Sequence, residues 1–252
     1  MFPLYVGKND IQVLEVGSTN ELVMQLLKEK KLPEGTLIRA TNQIAGKGQR
    51  GNKWLTYAGK NFTGTYIFYP VFLAAKDQFW LNKAIAIAVA QTVKHFAASK
   101  TVEIKWPNDI LVEQKKIAGI LLEGQLNGNQ LALIVAGIGV NINQEQLPQA
   151  TFKATSLYLE NGETLDLDDF TTKLSELLEI RYSQVKLGNY TKIDSDYDAY
   201  LFGKGKLCLF EWKNEILQGI VKGVSKDGQL EVDMDGLVRL FQNGEVKWIV
   251  ES

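Results

Sequence analysis

The chain has 252 residues, of which 45% are hydrophobic and 23% are charged, and its formal net charge is −1. These values are typical of folded globular domains, and no apolar run approaches the roughly twenty residues of a transmembrane helix. The near-neutral total argues against general affinity for nucleic acid. Because Cys208 and His95 are the only residues of their kinds, a disulfide and a Cys- or His-based metal cage are excluded within one chain. We expect a cytoplasmic protein that binds no membrane and holds no protein metal tightly.

The first 143 residues predict a mixture of helices and strands. Ser18 with Glu21 fits a capping box, and the apolar stripe that follows predicts a helix to Leu27. Residues 77–100 are rich in Ala and Ile and predict a long buried helix. Strands are predicted at 36–41, 54–57, 62–69, 102–106, 110–113, 117–123 and 131–143. The three runs between 102 and 123 are separated only by turns, so they predict an antiparallel meander.

The rest of the chain divides into a helical part and a strand-rich part. Helices are predicted at 165–187 and 192–202. From residue 204, short strands are separated by turn pairs such as Asp227-Gly228 and Asn243-Gly244, which predicts a small β-barrel or sandwich. The predicted fold class is therefore α+β. A mixed sheet with flanking helices forms residues 1–203, and a small all-β module forms residues 204–252.

Charge is distributed unevenly along the chain. Residues 35–76 contain no acid but six bases, and residues 1–157 carry a net charge of +6 whereas residues 158–252 carry −7. A local field of one sign attracts anions and raises their rate of encounter. The first part is thus the candidate anion binder. The alternative is that apolar strands in this window simply contain few charged residues.

A glycine-rich basic loop follows the second predicted element, with the sequence Gly46-Lys47-Gly48-Gln49-Arg50-Gly51-Asn52-Lys53-Trp54. Its glycine spacing matches the dinucleotide fingerprint, but a strand rather than a helix is predicted after it, and it lacks the P-loop Gly-Lys-Ser/Thr sequence. Without a helix N-terminus, Lys47, Arg50 and Lys53 must supply the positive charge for a phosphate. Three glycines let the backbone approach a ligand closely, so we expect ligand binding to order the loop. The alternative is a flexible hairpin with solvated bases.

A second segment, Lys105-Trp106-Pro107-Asn108-Asp109, ends a predicted strand in a tight turn. Lys105 faces either solvent or a pocket, and a lysine held there is a fixed charge suited to a carboxylate or a phosphate. Trp54 and Trp106 could each form a flat wall for a ring, or pack in the core. The amides at the end of strand 131–143 could bind a nucleotide or close a turn. Loop and lysine segment together predict a site where a carboxylate meets a nucleotide.

Five segments in a fixed order resemble the motifs of the biotin–protein ligases, also called biotin–[acetyl-CoA-carboxylase] ligases. They are Ser18-Thr19-Asn20 and residues 43–54, 105–109, 116–121 and 137–141. The resemblance covers most of the chain, and five ordered motifs are far more specific than any one of them. It implies a catalytic domain of the class II aminoacyl-tRNA synthetase type and an SH3-like β-barrel at the C-terminus.

The resemblance implies a two-step reaction. The carboxylate of biotin attacks the α-phosphate of MgATP to give biotinyl-5′-AMP, and a lysine of a biotin carboxyl carrier domain then accepts the biotinyl group. The implied biotin contacts are Ser18, Thr19, Asn20, Gln43, Lys47, Gly48, Gln49 and Lys105. The implied nucleotide contacts are Gly46, Arg50, Lys53, Trp54, Asn108, Lys116 and Asn141. Lys105 and Arg50 are the implied catalytic residues, because cations must hold the two repelling anions together.

The chain also departs from this family. Many relatives carry Arg at the position of Gln49, and often at that of Asn52, so a fixed charge beside the anhydride is missing and Arg50 carries more of that load. Some relatives have an N-terminal helix-turn-helix domain, whereas only seventeen residues precede Ser18 here, so we expect no operator binding. The alternatives are a lipoate–protein ligase and a non-catalytic adenylate sensor. The Mg²⁺ ligands are not identified by the sequence, and a homodimer through a sheet edge is compatible with it.

Overall fold

The computed structural model describes residues 5–147 and 153–249. These residues form a seven-stranded mixed sheet, a five-stranded antiparallel sheet and five α-helices. The first sheet and its helices position the candidate site, and the second sheet adds one residue to it.

The strands of the large sheet are, in chain order, β1 (Asp10–Val16), β2 (Leu37–Gln43), β3 (Asn61–Phe68), β4 (Val102–Lys105), β5 (Asp109–Val112), β6 (Lys115–Asn127) and β7 (Gln130–Asn141). Across the sheet they lie in the order β1-β2-β3-β7-β6-β5-β4. β1 and β2 are parallel, and all other neighbours are antiparallel. The predicted mixed sheet and the meander of β4, β5 and β6 are therefore confirmed.

Helices cover both faces of this sheet. They are α1 (Thr19–Glu29), α2 (Phe79–Phe96), α3 (Leu157–Asn161), α4 (Leu167–Lys186) and α5 (Tyr190–Tyr200). α2 is buried along most of its length, as its Ala and Ile content predicts, and it packs against α4 and α5 over the main core. α1 covers a smaller core on the other face, around Val23, Ile38 and Ile67. None of the helices in the described ranges has the length and apolarity needed to cross a bilayer.

The C-terminal module is a five-stranded antiparallel sheet. Its strands are β8 (Leu207–Trp212), β9 (Glu215–Val224), β10 (Leu230–Met234), β11 (Leu237–Phe241) and β12 (Lys247–Ile249), and they lie in the order β11-β10-β9-β8-β12. The predicted closed barrel is not seen in the described residues, because β11 and β12 form opposite edges of an open sheet. Trp106 anchors the module, since its Nε1 donates a 2.9 Å hydrogen bond to the carbonyl of Gly228.

Two local expectations prove wrong, and one strand is not predicted at all. Residues 54–57 form no strand; the Thr56 hydroxyl bonds the backbone of Gln43 instead, which replaces a ladder contact. Ser18 occupies the N-cap position of α1, but its side chain makes no capping bond, and Glu21 pairs with Lys47 instead of closing a capping box. The sequence also does not predict β1, because the alternation of apolar and polar residues breaks at Val13-Leu14, where the apolar Leu14 is exposed.

Candidate active site

A cavity of about 220 Å³ lies where the start of α1, the glycine-rich loop, the β4–β5 turn and the middle of β6 and β7 meet. Most of the predicted site residues line it, although they come from distant segments. They are Ser18, Thr19, Asn20, Gln43, Lys47, Gly48, Gln49, Arg50, Lys53, Trp54, Asn108 and Lys116.

One end of the cavity is neutral and rigid. Gln43 Oε1 accepts hydrogen bonds from the amide and the hydroxyl of Thr19, at 2.9 and 3.2 Å. Asn20 Oδ1 accepts from the Thr65 hydroxyl at 2.7 Å, and Asn20 Nδ2 donates to Glu123 at 2.7 Å. Because these side chains are held by each other, the first turn of α1 offers a fixed set of uncharged donors and acceptors. Such a surface suits a polar, uncharged ligand group.

The glycine-rich loop forms a tight hairpin at the other end. Lys47 and Lys53 face each other as an isolated antiparallel bridge, and the amide of Gly48 donates to the carbonyl of Asn52 at 2.7 Å. At the tip, Arg50 has a left-handed backbone with φ of 55°. Glu21 accepts a hydrogen bond from Lys47 and attracts it, which raises the pKa of the Lys47 ammonium. Lys47, Arg50 and Lys53 of the hairpin all line this end of the cavity.

An ion pair from β5 and β6 and the indole ring at the end of the loop form one wall of the cavity. Lys116 Nζ lies 2.6 Å from Asp109 Oδ1 and 5.8 Å from the centre of the Trp54 ring. The Trp54 ring lies against Gly139, where any side chain would overlap it. Its Nε1 is buried and has no hydrogen-bond partner among the described residues. Asp109 is the only acid among the described lining residues, so cations dominate this end of the cavity.

Lys105 lies next to this wall rather than in it. It faces Asp109 across the β4–β5 ladder, and residues 107–109 of the same segment line the cavity, whereas Lys105 does not. Burial, the largest effect, and the neighbouring Lys116 lower the pKa of Lys105 to about 8, although Asp109 opposes the shift. The ammonium is thus electrically coupled to two lining residues.

Three other predicted residues also lie outside the cavity lining. Asn141 donates to the Thr155 carbonyl at 3.0 Å and accepts from Asn61 and Gln144, so its amide links the end of β7 to β3 and to residues 144 and 155. Trp106 is 4% exposed and packs in the core, which resolves the two alternatives for this ring. Gly46 lines only an adjoining groove of about 810 Å³.

The loop separates the cavity from this groove. Lys47, Gly48, Arg50, Asn52, Lys53 and Trp54 line both spaces. Ligand sites commonly enclose about 300–1,000 Å³, and the cavity alone is smaller than that range. The loop and Trp54 therefore form the partition between the two spaces.

Sequence reasoning missed two lining residues. Thr63 lies on β3 one pleat from Thr65, and the alternation of threonines in that strand is a signal that could have identified it. Asn243 comes from the C-terminal module, where the sequence indicates only a turn. In the described part of the chain, no cluster of three or more His, Cys, Asp or Glu side chains could hold a metal ion.

Comparison with known proteins places this geometry in a family. The model of the biotin/lipoate A/B protein ligase family matches residues 14–141, which include the start of α1, the loop, the lysine segment and β7. The chain belongs to this family.

Similar relatives include a bifunctional ligase/repressor and a biotin–[acetyl-CoA-carboxylase] ligase. The chain is 28% identical to the bifunctional ligase/repressor BirA of Bacillus subtilis over 236 residues, covering 92% of this chain and 72% of the relative. It is 27% identical to the biotin–[acetyl-CoA-carboxylase] ligase of Mycobacterium tuberculosis over 237 residues, covering 93% and 86%. A solved structure, the biotin protein ligase from Aquifex aeolicus in complex with biotin and ATP, superposes with a TM-score of 0.80 at 24% identity, covering 97% of this chain and 100% of that one. That structural likeness establishes a shared fold.

Proposed function

We propose that this protein is an ATP-dependent biotin–protein ligase. The observation that carries the proposal is one cavity with a neutral hydrogen-bonding end, at Thr19, Asn20 and Gln43, beside a cationic end at the loop and Lys116. Biotin has an uncharged ureido ring and an anionic carboxylate, so it fits across such a gradient. The name of the Mycobacterium tuberculosis relative, a biotin–[acetyl-CoA-carboxylase] ligase, supports the same choice.

In the first step, a carboxylate oxygen of biotin attacks the α-phosphorus of MgATP and pyrophosphate leaves with its bonding electrons. The two anions repel each other, so the protein must neutralise both before they can react. Lys47, Arg50, Lys53 and Lys116 supply charge from the cavity wall, and Lys105 adds to it from beside Asp109. Charge held in a partly buried site acts more strongly than it would in water.

In the second step, a neutral lysine amine of a carrier domain attacks the carbonyl carbon of the anhydride. A carbon–nitrogen bond forms, the bond from carbon to the phosphate oxygen breaks, AMP leaves with the electron pair, and the amine loses a proton. The partner is a biotin carboxyl carrier domain of a carboxylase, in line with the name of the Mycobacterium tuberculosis relative. The site residue assignments given from the sequence stand as part of this proposal, including Asn108 as a nucleotide contact and Ser18 as a biotin contact.

Several finer assignments belong to the same proposal. Mg²⁺ arrives with ATP, since the described lining contains one acid and that acid is paired with Lys116. Residues 1–203 act as the catalytic domain of the class II synthetase type, and residues 204–252 act as the SH3-like module. β1 has an open edge on which Leu14 is 83% exposed, which supports a homodimer through that edge. The site of action is the cytoplasm, without a nucleic-acid partner.

Pyrophosphate exchange tests the proposal against its alternatives. We expect exchange of labelled pyrophosphate into ATP that depends on biotin. Exchange that depends on lipoate would instead identify a lipoate–protein ligase, which the family also contains. Binding of biotinyl-5′-AMP without any exchange would identify an adenylate sensor.

A further inference from the structure

The turn between β11 and β12 reaches the tip of the glycine-rich loop. Asn243 Nδ2 donates a 2.8 Å hydrogen bond to Gln49 Oε1, from a position 194 residues further along the chain. The guanidinium of Arg50 donates to the main-chain carbonyl of Asn243. Among the described residues of the C-terminal sheet, Asn243 alone lines the cavity. The module therefore supplies part of the wall on the loop side.

The turn is fixed independently of the loop. The amide of Gln242 donates to the Glu245 carboxylate at 2.7 Å, and the amide of Glu245 donates to the carbonyl of Gln242 at 3.0 Å. Gly244 lies at the tip with φ of 79°, and any side chain there would overlap the Arg50 guanidinium. A rigid turn with a glycine at the point of contact can receive the loop without rearranging.

The loop, in contrast, needs support from outside. Arg50 has a left-handed backbone conformation, which is unfavourable for residues other than glycine. Ordering the three glycines of the loop also costs conformational entropy. Hydrogen bonds to the turn offset part of that cost. Without them, the open arrangement of the loop gains population.

The module is also attached to the lysine segment. Trp106 donates to the carbonyl of Gly228, and the buried ammonium of Lys83 donates to the carbonyl of Val224 at 2.9 Å. One turn of the module is thus fixed beside residues 107–109, while another contacts Gln49 and Arg50. The module connects the two segments that form the cationic end of the cavity.

We propose that Asn243 is a positioning residue through which the C-terminal module holds the glycine-rich loop closed. We call the contacts of Asn243 with Gln49 and Arg50 the latch, and its existence does not depend on the proposed function. Its consequence for the reaction, slower escape of the acyl-adenylate, rests on the proposed function. Because the Asn243 main-chain carbonyl survives substitution, Asn243→Ala removes only the bond to Gln49.

Hydrogen exchange of the ligand-free, full-length protein tests the latch without any substrate. Asn243→Ala should speed exchange at the loop amides of Gly48 and Asn52 by about three- to ten-fold, the factor of one net hydrogen bond. Gln49→Ala should do the same, and the double variant should be no faster than either single variant. The control is Asn214→Gly in the β8–β9 turn, where φ of 66° suits glycine. Unchanged loop exchange in Asn243→Ala, with β8–β10 still protected as in the parent, would overturn the latch.

Kinetics then test its consequence. Asn243→Ala should raise the KM for ATP and the release rate of biotinyl-5′-AMP by about three- to ten-fold, with a smaller change in kcat. Asn214→Gly should change neither. Faster loop exchange with unchanged adenylate release would refute the role in retention. If the parent protein shows no biotin-dependent pyrophosphate exchange, the proposed function is refuted. The hydrogen-exchange result would still decide whether the latch exists.

Discussion

Asp109 lies opposite Lys105 in the β4–β5 ladder, and its carboxylate holds Lys116 in an ion pair of 2.6 Å. One acid therefore organises two lysines beside the loop. Two cations and one anion leave a net positive charge beside the loop before any substrate arrives. That surplus, together with the cations of the loop, is the physical basis of the proposed chemistry.

Replacing Lys105 should separate activity from stability. Lys105→Met should reduce biotin-dependent pyrophosphate exchange by about 100-fold or more, because a charge that stabilises the transition state is lost. The folded-state pKa of about 8 lies below the ordinary 10.5, so at pH 7 the folded protein carries a proton that burial disfavours. Lys105→Met removes this buried charge and should therefore raise the free energy of unfolding in urea by roughly 1–3 kcal/mol. Lys28→Met, on the exposed side of α1, is the control. Near-normal pyrophosphate exchange by Lys105→Met would contradict the catalytic role of Lys105.

The same lysine predicts a pH dependence. Below pH 8 the Lys105 ammonium is charged and attracts the biotin carboxylate, and above pH 8 it loses its proton. kcat/KM for biotin should therefore fall as the pH rises through about 8. Lys105→Arg keeps its charge in this range, so its profile should lose that inflection even at reduced activity. An unchanged inflection in Lys105→Arg would assign it to another group.

Two glycines on one face of β7 should affect different substrates. A methyl group at Gly137 would overlap Asn20 Oδ1, whereas one at Gly139 would overlap the Trp54 ring. Gly137→Ala should thus raise the KM for biotin more than that for ATP, and Gly139→Ala should do the reverse, by roughly ten-fold each for a 1.4 kcal/mol misfit. Steady-state exchange kinetics measure both. Equal effects from the two variants would contradict the division of the cavity into a biotin end and a nucleotide end.

The contrast between these residues and Asn243 shows what the sequence could predict. Lys47 lies in a glycine-rich basic loop whose composition alone indicates anion binding, whereas Thr19 and Lys116 are indicated only by the resemblance to the biotin–protein ligases. The segment 105–109 is indicated by its sequence, but the position of Lys105 beside the cavity, outside its lining, depends on which face of a short strand meets the core. Asn243 reaches the loop only because two modules dock. No local pattern encodes that contact, and the open edges of the second sheet were equally invisible to turn spacing.

The loop should also respond to ligand. Adding biotin and ATP together should slow hydrogen exchange in residues 46–54 by more than either ligand alone. Both substrates contact the cations of the loop and thereby order its glycines. Exchange in α2, which is buried in the main core, serves as the internal reference. Identical loop exchange with and without both ligands would mean that the hairpin is already fully ordered.

Mass spectrometry of an acceptor domain tests the central claim most directly. A biotin carboxyl carrier domain incubated with this protein, ATP and biotin should gain one biotinyl group on one lysine, and omitting ATP should abolish the gain. A carrier domain whose mass stays unchanged while the protein is folded and binds both substrates would contradict the account.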